Sequence, residues 1–68
     1  MTPNKPPDVW ASLPEAPGHL AEFYRETPEA VYWRICESKH GKPVTELQGP
    51  VKDFVDALDT ARSWRPEE

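Results

Sequence analysis

From residue 30 to residue 37 the chain reads Ala-Val-Tyr-Trp-Arg-Ile-Cys-Glu. Period two puts Val31, Trp33 and Ile35 on one face and Tyr32, Arg34 and Cys36 on the other, the signature of a half-buried strand. β-branched and aromatic residues suit such a pleated surface. Lys39-His40-Gly41-Lys42 follows as a hairpin loop, with Gly41 supplying a positive φ. Leu20 to Arg25 and Val44 to Gln48 are read as the two neighbouring strands. Residues 50–63 show a different period. Pro50 stands at the first helical position after Gly49, and Val51, Phe54, Val55, Leu58 and Ala61 form one apolar stripe. Asp53 near the start and Arg62 near the end of this stretch match a helix macrodipole.

A helical reading of the middle segment competes. Thr27-Pro28-Glu29 has the form of a helix start, Gly41 and Pro43 that of a stop, and Val31, Tyr32, Ile35 and Cys36 also fit a helical stripe. Strands are preferred because Val-Tyr-Trp-Arg-Ile-Cys is poor in strong helix formers. The expected fold is therefore α+β: a three-stranded antiparallel sheet packed on one C-terminal helix, over residues 19–68. A small all-α bundle is the alternative.

Residues 1–18 differ in composition. Five of the nine prolines lie here, Pro3, Pro6, Pro7, Pro14 and Pro17. Such density blocks helix continuation and sheet pairing, so the segment is read as an extended proline-rich arm. Asp8 is expected to cap one helical turn, Val9 to Leu13, that docks the arm through Trp10 and Leu13. The spacings Pro3-x-x-Pro6 and Pro14-x-x-Pro17 also fit a polyproline ligand.

With 68 residues there is one domain at most, and a chain this short is marginally stable. Cys36 is the single cysteine, so no internal disulfide forms, and a reducing, cytoplasmic setting is expected. The N-terminus has no apolar run of the signal-peptide kind, and no apolar stretch approaches the roughly 20 residues of a membrane span. The three tryptophans, Trp10, Trp33 and Trp64, suggest a core of few large side chains.

The stretch carrying Tyr32-Trp33-Arg34-Ile35, the glycine-bearing loop at Gly41, the glycine at Gly49 and the closing amphipathic helix resembles the YegP-like family of small bacterial proteins. The shared features cover about two-thirds of the chain. His40-Gly41 stands where the family shows Asn-Gly, and Pro50 where an aromatic is common. The resemblance implies a βββα unit and pairing of such units. It implies no activity.

Catalytic and metal chemistry find little material. Cys36-x3-His40, even with His19 and Glu22, falls short of the four ligands of structural zinc. Cys36 and His40 lack an orienting third group and an oxyanion site. Asp53, Asp56 and Asp59 read as the solvated side of the last helix, with Lys52 and Arg62 as neighbours. No cofactor or small-molecule substrate motif is present, and the protein is expected to be no enzyme.

Binding chemistry is better represented. One helix covers one face of a sheet, so the reverse face, bearing Tyr32, Arg34, Cys36 and Tyr24, needs a cover: the arm, a second copy of the chain, or a partner. The expected function is a non-enzymatic protein-interaction module, a regulator or inhibitor docking on a larger protein through the open sheet face and the arm. Trp10, Tyr24, Tyr32 and Arg34 are its candidate anchors, since Trp, Tyr and Arg dominate binding hot spots. A structural homodimer is one alternative. Single-stranded nucleic-acid binding is another, with Tyr24, Tyr32 and Arg34 as a stacking platform and Lys39, His40 and Lys42 near phosphate. The net charge of −4, with Glu22, Glu26, Glu29, Glu37 and Glu46 in or beside the strands, opposes that reading.

Overall fold

The computed structural model describes residues 6–66. Strands β1 (Val9–Ser12), β2 (His19–Thr27), β3 (Ala30–Glu37) and β4 (Gln48–Val51) precede one helix, α1 (Phe54–Arg62). The strands form an antiparallel meander in the order β1-β2-β3-β4. The fold is α+β as expected, with four strands in place of three. Residues 30–37 are strand, not helix. Thr27-Pro28-Glu29 forms the β2–β3 turn, where the Glu29 N–H donates to the Thr27 hydroxyl at 3.2 Å. The hydroxyl that suits a helix cap serves a tight turn equally well.

Three expectations are corrected. The first concerns the arm: Val9 to Leu13 is no helical turn. Val9–Ser12 pairs with β2, Val9 opposite Phe23 and Ser12 opposite Leu20. The prolines at Pro7 and Pro14 flank this strand rather than interrupt it, so its ladder is intact. Asp8 caps no helix; its carboxylate accepts the Arg25 N–H at 2.7 Å and its own N–H donates to the Phe23 carbonyl at 2.9 Å. Leu13 is buried in the core, but Trp10 is not.

The second correction moves the last strand from residues 44–48 to Gln48–Val51. Val44 and Thr45 both donate N–H to the Ile35 carbonyl, at 2.7 and 3.3 Å, and the Thr45 hydroxyl accepts the Ile35 N–H at 2.9 Å. A side chain thus takes the place of a ladder bond there. Gly41 has φ +67 in the preceding loop, as expected.

The third correction moves the helix start from Pro50, which lies in β4, to Phe54. Asp53 is the N-cap, its carboxylate accepting the Asp56 N–H at 2.9 Å. This satisfies one of the free N–H groups of the first turn, an arrangement worth about 1 kcal/mol. The inward stripe is accordingly Phe54, Ala57, Leu58 and Ala61, while Val55 is 66% exposed.

The core lies between α1 and one sheet face. Ala21, Phe23, Val31, Trp33 and Ile35 meet Ala57 and Ala61, with Leu13 and Ala16 closing one side. Two small helix residues let the helix settle close to the sheet, and Phe54 packs edge-on to Phe23 at 5.1 Å between ring centres. The helix touches β2, β3 and β4 but not β1.

Gly49 has φ +134, and a Cβ there would lie 2.8 Å from both the Tyr32 ring and the Val31 carbonyl oxygen. Gly41 also has positive φ but open space around it. Gly49→Ala is therefore expected to cost about 2–4 kcal/mol in urea unfolding, against about 1 kcal/mol for Gly41→Ala. Equal losses would contradict the close approach at Gly49.

Candidate interaction face

Register places the reverse side chains in rows. Trp10, Glu22 and Arg34 lie across β1, β2 and β3; Ser12, Leu20 and Cys36 form the next row; Tyr24 sits opposite Tyr32. All four candidate anchors, Trp10, Tyr24, Tyr32 and Arg34, therefore share one face. They are not equally available.

Trp10 is 61% exposed. Tyr24 is only 2% exposed, and its hydroxyl donates to Glu22 Oε1 at 2.8 Å. Arg34 donates through Nε to the same oxygen at 3.1 Å, while its guanidinium carbon lies 5.6 Å from the centre of the Tyr24 ring. The Arg34 and Glu22 side chains retain 24% and 15% exposure. Tyr32 is half-buried, its ring backed by Gly49. Tyr24 and Arg34 thus seal the face, and Trp10 and Tyr32 are its accessible aromatics.

Glu22 is the residue that holds this arrangement, a role the sequence reading, which weighs it as a metal ligand and as a source of repulsion, does not give it. Period two in β2, with Glu22 two residues from Tyr24 and opposite Arg34, is the signal that places it. Burial pushes the Glu22 carboxyl up, but hydrogen bonds from Tyr24, Arg34 and the Cys36 thiol outweigh it and hold the carboxyl below its ordinary value. Burial, then the hydrogen bond to the Glu22 carboxylate, pushes the Tyr24 phenol up to about 12. The same two causes push the Cys36 thiol up to about 11. Burial opposes the charge on Arg34, but Glu22 and its neighbours raise its pKa overall.

The chemistry open to this cluster follows. Cys36 is fully buried and protonated at neutral pH, so its sulfur is not a thiolate nucleophile. His40 is an exposed loop residue. Asp53 is engaged as a helix cap, and Asp56 and Asp59 are exposed along α1. Among the described residues, no group of three or more His, Cys, Asp or Glu is placed to hold a metal ion. None of their helices is long and apolar enough to cross a membrane. No family model, curated protein or solved structure matches the chain.

Glu22→Ala leaves Tyr24 and Arg34 without their shared acceptor, and is expected to cost about 1–3 kcal/mol. Trp10→Ala, at an exposed position, is expected to stay within about 0.5 kcal/mol. Thermal unfolding of the two variants checks this, and the reverse order would contradict it. Stability is also expected to depend on pH at both ends. The unfolded chain releases the Cys36 and Tyr24 protons near their ordinary values of 9 and 10, the folded chain near 11 and 12, so stability is full below pH 9 and falls above it. Glu22 acts oppositely: its contribution is present above its ordinary value of 4.5 and fades as pH falls through the lower folded value. Tyr24→Phe should flatten the alkaline limb.

Proposed function

We propose that the chain is a non-enzymatic protein-interaction module, a regulator or inhibitor that docks on a larger protein in the cytoplasm through the reverse sheet face and the first strand. The observation that supports this most is Trp10, left 61% exposed in one row with the Glu22–Arg34 pair, on the face that also bears half-buried Tyr32. Tryptophan and tyrosine bring large contact area at small cost in side-chain freedom, and they head the residues that carry binding energy. The face that bears them is held by a β-ladder and a sealed polar cluster, so little ordering is needed on binding. Arg34 contributes orientation more than charge, because Glu22 neutralises it. The same pairing weakens the case for phosphate as the ligand. Kinship with the YegP-like family belongs to this proposal too, resting on Tyr32-Trp33-Arg34-Ile35, Gly41 and Gly49.

Affinity capture with the tagged protein tests the reading, comparing wild type with Trp10→Ala, Tyr32→Ala and, on the opposite side, Val55→Ala. Trp10→Ala and Tyr32→Ala are each expected to lose the captured partner, a loss of about 2 kcal/mol or roughly 30-fold in affinity. Val55→Ala should retain it, and all three should keep the wild-type circular dichroism spectrum. Partner retention by both aromatic variants would remove the assignment. Salt-sensitive binding of a generic single-stranded oligonucleotide, lost in the same variants, would replace the protein partner with nucleic acid.

A further inference from the structure

The backbone groups of a strand alternate between its two neighbours. In β3, Ile35 and Glu37 bond toward Thr45, Val44 and Lys42. The backbone groups of Arg34 and Cys36 therefore face β2, and those of their partners Glu22 and Leu20 face β3. Ala21 and Phe23 then face β1, in keeping with the Asp8 N–H bond to the Phe23 carbonyl. Their partners Val9 and Ala11 face β2 in turn. This leaves the N–H and C=O groups of Trp10 and Ser12 pointing outward from the sheet.

The two edges of the sheet differ. β4 contains Gly49 and Pro50 and pairs irregularly with β3, features that blunt an edge. β1 contains no proline, glycine or charge, and its register is regular. We propose that a second copy of the chain pairs with this edge, β1 antiparallel to β1, across a two-fold axis between the two Ala11 residues. The interface engages the outer backbone edge of β1, not only the face, so a second copy and a larger partner would share Trp10.

The register follows from the free groups. With Ala11 opposite Ala11, Trp10 of each copy lies opposite Ser12 of the other. Each Trp10–Ser12 pair forms two hydrogen bonds, and symmetry supplies a second pair, so every outward group of Trp10 and Ser12 is matched. Like faces align, and both helices lie on one side of a continuous sheet. The small Ala11 side chain admits close approach at the axis. The exposed indole of Trp10 falls across Ser12 of the second copy and the Leu20 beside it. The net charge of −4 does not oppose the contact locally, because Val9–Ser12 carries none of it. An edge of four residues, about 13 Å long, is smaller than a standard stable interface, so the pairing is weak and concentration-dependent.

Sedimentation equilibrium of the full chain from about 10 μM to about 1 mM spans the range expected for so small an interface. The wild-type mass should rise from 7.8 kDa toward twice that value. Ser12→Pro removes only an outward N–H and should hold the monomer mass throughout with an unchanged circular dichroism spectrum. Wild type that stays monomeric, or a folded Ser12→Pro that associates like wild type, overturns the proposal. Should Ser12→Pro misfold, Ala11→Cys decides. Facing non-hydrogen-bonded Cα atoms at about 4.5 Å are within disulfide reach. Mild oxidation should therefore link Ala11→Cys chains in pairs and leave Val55→Cys chains unlinked; equal linking of the two overturns it. Trp10 and Tyr32 are unchanged in all these variants, so capture of a larger partner by the monomeric Ser12→Pro chain reports that docking separately from self-association.

Discussion

An α-helix with its side chains is about 10 Å across. Four strands spaced about 4.8 Å apart span roughly 14 Å between their outer axes. One helix of nine residues therefore cannot cover this sheet. It settles on β2, β3 and β4 and leaves β1 to the turn that carries Leu13 and Ala16. Its fully buried residues are Ala57 and Ala61, whose small side chains let it sit close against the sheet.

Among the described residues no layer covers the reverse face, and the sequence meets that problem with a polar cluster instead. Tyr24 and Cys36 would be costly to leave half-wet in the middle of a sheet. Glu22 accepts from both Tyr24 and Arg34, and the arginine lies over the tyrosine ring. The carboxylate thus turns three neighbouring side chains into a self-made cover, and no buried polar side-chain atom among the described residues lacks a partner. The hydrogen bonds matter more than the ion pair, because both charged groups remain partly solvated. What this cover does not reach is Trp10, one row out on the edge strand.

The middle of the chain was the most legible part. Alternation at Val31, Trp33 and Ile35 placed β3 and both faces, and Gly41 placed the loop. β1 was hidden because four residues give a period-two signal only two repeats long, and the surrounding prolines spoke louder than Val9 and Ala11. The helix start was misplaced because Gly49-Pro50 mimics a stop followed by a first turn, whereas Asp53 does the capping. Ala57 went uncounted in the apolar stripe because alanine carries little hydrophobic weight, although its size is what the packing uses. Tyr24, Tyr32 and Arg34 are placed on one face by the alternation, whereas Trp10, read as docking the arm through a helical turn, joins that face only through the β1–β2 pairing. Their separation into sealing and accessible residues depends on Glu22, whose partners become visible only with the β2–β3 register in hand.

The two sheet faces divide the labour, with Trp33 under the helix and Trp10 on the reverse side. Attenuation of the indole N–H resonances by a soluble paramagnetic probe, in dilute protein, tests this division most directly. The Trp10 signal should fade at low probe concentration while the Trp33 signal persists, with half-buried Trp64 between them. A Trp10 signal as well shielded as that of Trp33 would mean that the reverse side is covered after all.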